Sequence, residues 1–354
     1  MDAAVGILAE RIRAAAAARR PLRIRGGGSK DFYGGELKGE VLDTRGCAGI
    51  VSYEPSELVV TARGGTPLAE IEAVLAKEGQ MLAFEPPHFG PGATLGGCVA
   101  AGLSGPRRAA AGALRDFVLG VRLLDGRGQW LAFGGEVMKN VAGYDVSRLL
   151  AGSLGTLGLI AEVSLKVLPR PQREITLAFE MPEARAIETA NRWAGLPLPV
   201  SASAWHDGRL SVRLSGAESA LRAASEKLGG ESLDAGDAAR DWAAIREQSA
   251  PFFAGETPLW RLSLPAAAKP LALPGELLIE WGGALRWLRS GADAATVRGA
   301  AAQAGGHATL FRGGDRAAGV FAPLAPALAR LHREIKAALD PAGILNPGRL
   351  YRDF

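Results

Sequence analysis

The chain has little cysteine. Its two thiols, Cys47 and Cys98, exclude a disulfide framework in a protein of 354 residues, and they fall short of the thiolate set that an iron–sulfur cluster takes, so any cluster chemistry belongs to a partner. Histidine is equally scarce. His88, His206, His307 and His332 lie far apart in different predicted elements, no pair has ligand spacing, and no metal site is expected. There is no run of basic residues: the formal charge of +4 comes from arginines scattered among carboxylates, which argues against a nucleic-acid surface. No window of about 18 residues is apolar and uncharged, so no membrane-spanning helix is expected. The opening MDAAVGILAERIRAAAAARR carries charges inside its apolar pattern and reads as an amphipathic helix rather than a signal peptide, which predicts a cytoplasmic chain. No G-x-G-x-x-G follows a strand and opens a helix, and no G-x-x-x-x-G-K-[ST] is present, which argues against the Rossmann and P-loop nucleotide sites.

Glycine, by contrast, is abundant and clustered. From Phe84 to Gly120 the chain reads FEPPHFGPGATLGGCVAAGLSGPRRAAAGALRDFVLG, with Gly92, Gly96, Gly97, Gly102, Gly105 and Gly112 spaced among small residues. Residues without a Cβ let backbone amides approach a ligand closely, and converging amides hold an anion such as a pyrophosphate. A second cluster, Arg25-Gly-Gly-Gly-Ser-Lys30, lies upstream, and a third, Gly152-Ser-Leu-Gly-Thr-Leu-Gly158, lies downstream. The competing reading of any one of them is a loop packed between helices.

Hydrophobic spacing predicts a helix over residues 2–18 and short strands over 22–25, 39–43, 49–53 and 57–62. Thr66-Pro67 then opens a helix, with Thr66 as N-cap and Glu70 completing a capping box. Asp125-Gly-Arg-Gly128 joins two apolar runs as a hairpin. The alternation over residues 159–167 predicts a strand with one exposed face. Residues 172–305 read as an antiparallel sheet with helices on one side, and most of the tryptophans fall there. The chain closes with a helix over about 323–339 and a Pro/Gly-rich tail. The expected domains are 1–170, made of two α+β subdomains with a boundary near 80; 171–305; and 306–354, a helix and tail returning to the first domain.

Taken together, the three glycine segments resemble those of flavoproteins of the vanillyl-alcohol oxidase and p-cresol methylhydroxylase type. The R-G-G-G-S segment stands at Arg25–Ser29, P-G-A-T-x-G-G at Pro91–Gly97 and G-S-x-G-x-L-G at Gly152–Gly158, while Asp340-Pro and Asn346-Pro-Gly match the final turn. The resemblance implies an α+β fold: a two-part FAD-binding domain with an antiparallel-sheet cap. It also implies that Arg25, Gly26, Gly27, Gly28, Ser29 and Lys30, with Pro91, Gly92, Ala93, Thr94, Leu95, Gly96 and Gly97, grip the FAD diphosphate, Ser29 and Thr94 through their hydroxyls. Gly105 and Gly112 would belong to the same cradle. Arg115 and Asp116 would anchor the strand under the ribityl chain, Gly155, Gly158 and Ile160 would line the cofactor, and Asn346 would meet the isoalloxazine or its neighbour. Relatives that tether the flavin use a His or Cys in the first loop or the cap. Here the first loop carries Ser29 and Lys30, so FAD is expected to be non-covalent.

Further segments narrow the resemblance: GPRR (105–108), LRDFVLG (114–120), FGGEVMKNVAGYD (133–145), LWRLSLP (259–265) and WGGALRWL (281–288) look like flavin subunits of bacterial glycolate oxidases. The implied activity is oxidation of glycolate, a small 2-hydroxy acid, to glyoxylate. The implied partners are a larger homologous flavin subunit and an iron–sulfur subunit, through which the chain would be peripheral to the membrane. The chain departs from metal-dependent hydroxy-acid dehydrogenases of the family in lacking their closely spaced histidines, which leaves the general base unidentified. Lys139, Tyr144 and His88 are the candidates near a flavin. For the KNVAGYD loop the alternative is structural, with Asp145 capping a helix over 146–150. An autonomous FAD oxidoreductase acting on another hydroxy acid or alcohol remains the alternative function.

Overall fold

The computed structural model describes residues 3–135 and 145–354; Lys139 and Tyr144 lie outside them. Helix α1 (Ala3–Ala17) buries Val5, Leu8, Ala9, Ile12 and Ala15 at helical spacing. It is followed by β1 (Leu22–Arg25), β2 (Glu40–Asp43), β3 (Ile50–Glu54) and β4 (Val59–Arg63), then α2 (Leu68–Lys77), β5 (Gln80–Met81) and α3 (Leu95–Ala101). After the short helices α4 (Arg108–Ala111) and α5 (Leu114–Phe117) come the hairpin β6 (Val118–Leu124) and β7 (Trp130–Gly134), α6 (Val146–Leu149), β8 (Leu159–Lys166) and β9 (Leu168–Pro169). The remaining elements are β10 (Arg173–Glu180), α7 (Glu183–Ala194), β11 (Val200–His206), β12 (Arg209–Gly216), α8 (Glu218–Leu228), β13 (Glu231–Ser232), α9 (Ala235–Glu247), β14 (Leu259–Ser263), β15 (Glu276–Glu280), β16 (Leu285–Arg289), α10 (Ala294–Gln303), β17 (His307–Arg312) and α11 (Pro326–Leu339).

These elements form two compact units: 1–103, 113–169 and 323–354 in the first, 104–112 and 170–322 in the second. In the first, β1 and β2 pair in parallel, and an antiparallel five-stranded sheet runs β3-β4-β8-β6-β7. Strands from both sides of residue 80 share that sheet, so the expected subdivision near 80 does not divide it. Strand β8 is the central strand and is buried on both faces rather than exposed on one. Its polar side chains are satisfied inside the sheet: Glu162 bridges Arg63 (2.9 Å) and Arg122 (2.8 Å) on the flanking strands, and Ser164 shares a hydrogen bond of 2.8 Å with Thr61. Alternation reported paired polar groups there, not solvent. Thr66 does not cap α2 either. Its hydroxyl bonds the backbone N–H and C=O of Gly49, and Pro67 occupies the N-cap without a side-chain bond.

The second unit is built on an antiparallel sheet in the order β13-β10-β12-β11-β15-β16-β14-β17. Strand β17 extends it past the expected limit of 305. Helices cover both faces, not one. On β10, Leu177 packs with Trp193 of α7 and Leu221 of α8, whereas the adjacent Thr176, which points the other way, accepts a 3.0 Å hydrogen bond from the Trp242 indole of α9. Trp193, Trp242, Trp260, Trp281 and Trp287 are buried core residues.

Candidate functional site

The first unit contains an open cleft of about 100 Å³, lined by residues of the three glycine segments and the C-terminal tail. Its wall is the turn where β1 ends, and the sequence explains the turn's shape. Gly27 passes so close to Gly92 that a Cβ would lie 1.4 Å from the Gly92 carbonyl oxygen, and a Cβ on Gly26 would lie 2.2 Å from the Thr94 hydroxyl. Gly28 has φ +75, where L side chains are strained. Among the described residues, no protein group accepts a hydrogen bond from the amides of Gly26, Gly27, Gly28 or Ser29. Three cations, Arg25, Lys30 and Arg349, line the cleft against one carboxylate, Asp31, which is held by Arg23 (2.6 Å) and Arg25 (2.8 Å). Lys30 donates to the His88 carbonyl at 3.1 Å.

The second glycine loop behaves differently. Thr94 caps α3, but the amide of Leu95 donates to Thr66 O at 2.9 Å and that of Gly96 to Gly64 O at 2.7 Å, while Gly97 reaches the Thr94 hydroxyl at 3.4 Å. Thr94, Gly96 and Gly97 line the cleft, whereas Pro91, Gly92, Ala93 and Leu95 do not. From the third segment, Gly155, Gly158 and Ile160 line it. Gly105 and Gly112 belong to the second unit, where Gly105 accepts from the Trp281 indole at 3.1 Å. Arg115 and Asp116 lie outside the cleft: Arg115 is exposed and Asp116 accepts from the Ala113 amide at 2.9 Å.

The C-terminal tail closes the cleft's base. Asn346, at φ 44, accepts from Ile24 N–H through Oδ1 (2.7 Å) and donates to Leu154 O through Nδ2 (2.6 Å), while its own amide donates to Leu22 O (2.9 Å). Its side chain ties β1 to the third glycine segment and also lines the cleft, with the second Nδ2 hydrogen and the second Oδ1 lone pair not used by these two bonds. Arg349, buried, donates to the carbonyls of Lys30, Asp31, Tyr33 and Gly35. The tail is anchored by Lys336 Nζ, which meets Asp340 Oδ2 (2.7 Å), Thr156 O (2.7 Å) and Leu345 O (2.8 Å). Burial pulls the Lys336 ammonium below its usual pKa, with Asp340 opposing. Asp31, Leu154 and Arg349 were missed from sequence. The tail's Asn-Pro-Gly turn was the available signal for Arg349.

His88 does not line the cleft and pairs through Nε2 with Glu72 at 3.1 Å. His206 Nδ1 lies 3.0 Å from Leu277 O, and His332 packs against Tyr351 and Phe354. No group of three or more His, Cys, Asp or Glu that could hold a metal comes together among the described residues. Burial pushes the Cys98 thiol up to about 12, and Cys47 is buried as well. Asp145 caps α6 by accepting from the Arg148 amide. No helix among the described residues is long and apolar enough to cross a membrane.

Family comparisons agree with this geometry. A model of the FAD-binding domain matches residues 5–134, and one of the C-terminal domain of FAD-linked oxidases matches 315–350. The fold is similar to that of alkyldihydroxyacetonephosphate synthase, with a TM-score of 0.65 at 17% identity over 97% of this chain and 75% of that one. The class is therefore that of FAD-linked oxidoreductases. The chain is 51% identical to glycolate oxidase subunit GlcE of Escherichia coli over 98% of its own length and 97% of the relative's. It belongs to the GlcE family. Glycolate oxidase subunit GlcD of Bacillus subtilis is 33% identical over 36% of this chain and 27% of its own.

Proposed function

We propose that the chain is the non-covalent FAD subunit of a complex that oxidises glycolate to glyoxylate, together with a homologous GlcD-like flavin subunit and an iron–sulfur subunit. The observation that carries this reading is the end-to-end similarity to GlcE, joined to a cleft whose free amides and cationic excess suit a diphosphate. The amides of Gly26 to Ser29 would donate to the diphosphate, with Lys30 and Arg25 balancing its charge. Gly97 and Gly158 would give the cofactor backbone to lie against. Bound FAD supplies the acceptor for the electrons leaving the substrate alcohol. Non-covalent retention is supported by a cleft lining without His or Cys among the described residues and by thiols that are buried. The scarcity of ligand-spaced histidines and of cysteine supports a division of labour in which partners complete turnover and carry the cluster.

The test is anaerobic single turnover. The FAD-loaded chain alone, mixed with excess glycolate, is expected to bleach slowly or not at all, and rapid bleaching is expected once the two partner subunits are added. Fast bleaching by the chain alone, unaffected by chelator, would favour a self-sufficient enzyme. Acid precipitation should leave the flavin in the supernatant.

A further inference from the structure

A lysine makes a poor preformed anion site unless its long stem is held, because the ammonium otherwise samples many rotamers. Lys30, which lines the cleft, is held. Its Nζ donates to the His88 carbonyl at 3.1 Å and to the Ser29 hydroxyl at 3.4 Å, and it stands over the Phe89 ring, 5.5 Å from the centroid, within reach of a cation–π contact. These three partners are neutral, so they orient the ammonium without cancelling its charge. The Phe89 ring is itself propped by Phe32, with centroids 5.4 Å apart and planes at 67°, and His88 is fixed from α2 by Glu72, 3.1 Å from its Nε2. Phe89 also has φ 53, a left-handed backbone that is an outlier for a bulky residue. Leu154 and Asn346, at φ 50 and 44, share that conformation and line the cleft, and Phe89 lies one contact behind it. Such strain persists only where the surroundings hold it, and it gathers at ligand sites. At Phe89 the left-handed turn brings the ring and the preceding carbonyl to the same ammonium.

We infer that Phe89 is a positioning residue for Lys30: its ring and its left-handed backbone hold the ammonium at the cleft, ready for the diphosphate oxygens of FAD. The inference rests on the proposed reading in which Lys30 balances the charge of a bound diphosphate. A lysine ordered before the ligand arrives loses little side-chain freedom on binding, so more of the attraction appears as affinity. Phe89 does not line the cleft, so it acts on the cofactor through Lys30 and not by contact. Loss of the ring should therefore matter only while Lys30 is present.

The experiment is a double-mutant cycle on the full chain, freed of flavin and titrated with FAD by fluorescence at several salt concentrations. Lys30→Met should weaken FAD binding by at least about tenfold and flatten its salt dependence. Phe89→Leu, which keeps bulk and removes the ring, should weaken it by about fivefold and flatten the salt dependence in part. Phe89→Gly should do the same although glycine adopts φ 53 without strain, which separates loss of the ring from failure to fold. Phe89→Tyr, which keeps the ring, should bind FAD as the unaltered chain does. Lys30→Met/Phe89→Leu should bind no more weakly than Lys30→Met alone. Full affinity in Phe89→Leu and Phe89→Gly would overturn the inference while leaving the FAD reading intact. So would losses that simply add in the double variant, or a Phe89→Tyr chain as weak as Phe89→Leu. Unchanged affinity and salt dependence in Lys30→Met would remove Lys30 from the diphosphate site and the inference with it, and failure of the unaltered chain to bind FAD would overturn the proposed function itself.

Discussion

Two glycine loops of the first unit look alike in sequence and differ in what their amides do. In the loop of Gly26 to Ser29 the amides have no acceptor among the described residues; in the loop of Pro91 to Gly97, those of Leu95 and Gly96 are held by the carbonyls of Thr66 and Gly64. The first loop can therefore offer its donors to an anion. The second mostly supports the first, since Gly92 is the surface against which Gly27 is pressed. A glycine is needed in both places, but for approach to a ligand in one and for approach of backbone to backbone in the other.

Deleting residues 345–354 removes Asn346 and Arg349 together, and should weaken FAD binding by at least a hundredfold, about 2.7 kcal/mol, while the sheet of the second unit keeps its circular dichroism and its tryptophan fluorescence. Unchanged flavin affinity after this deletion would separate the tail from the cleft. Gly27→Ala comes next: its Cβ would lie 1.4 Å from Gly92 O, so the two loops must part, at a cost of about 3 kcal/mol in urea unfolding and with loss of bound flavin. Asn346→Leu leaves the Ile24 N–H and the Leu154 carbonyl without their side-chain partner and should cost about 2 kcal/mol, read in the same unfolding experiment. Gly97→Ala should be the mildest, under about 1 kcal/mol, because its Cβ meets only the Thr94 hydroxyl, at 3.2 Å, and alanine favours the helix. Gly97→Asp, which adds a carboxylate at the cleft wall, should lose flavin in a salt-dependent way. Should Gly97→Ala prove as damaging as Gly27→Ala, the distinction between the loops fails.

Much of the fold was legible in the sequence because local chemistry and tertiary packing agree. The α1 stripe, the Asp125–Gly128 hairpin and the break at Pro169–Pro171 follow from spacing and turn residues alone. What was not legible depends on partners distant in the chain. Thr66 has the composition of a cap, yet Gly49 takes its hydroxyl. Glu162 and Ser164 alternate as a solvent face would, but arginines and a threonine from neighbouring strands pair with them. At the site, the three glycine segments pointed to the cleft, while Gly105 and Gly112 proved to be in the other unit and Arg115 and Asp116 outside the lining. Nothing local to Asn346 says that both of its amide atoms are committed to backbone. Arg349 likewise reads as one more arginine until its four carbonyl partners, from a loop more than three hundred residues earlier, are seen.

The most direct measurement is amide hydrogen exchange of the flavin-free and FAD-loaded chain, resolved at the two loops. The amides of Gly26 to Ser29 should exchange freely without flavin and become protected when FAD binds, whereas those of Leu95 and Gly96 should be protected in both states. Protection of Gly26 to Ser29 in the flavin-free chain, or protection that FAD adds only at Leu95 to Gly97, would contradict the assignment of the diphosphate to the first loop.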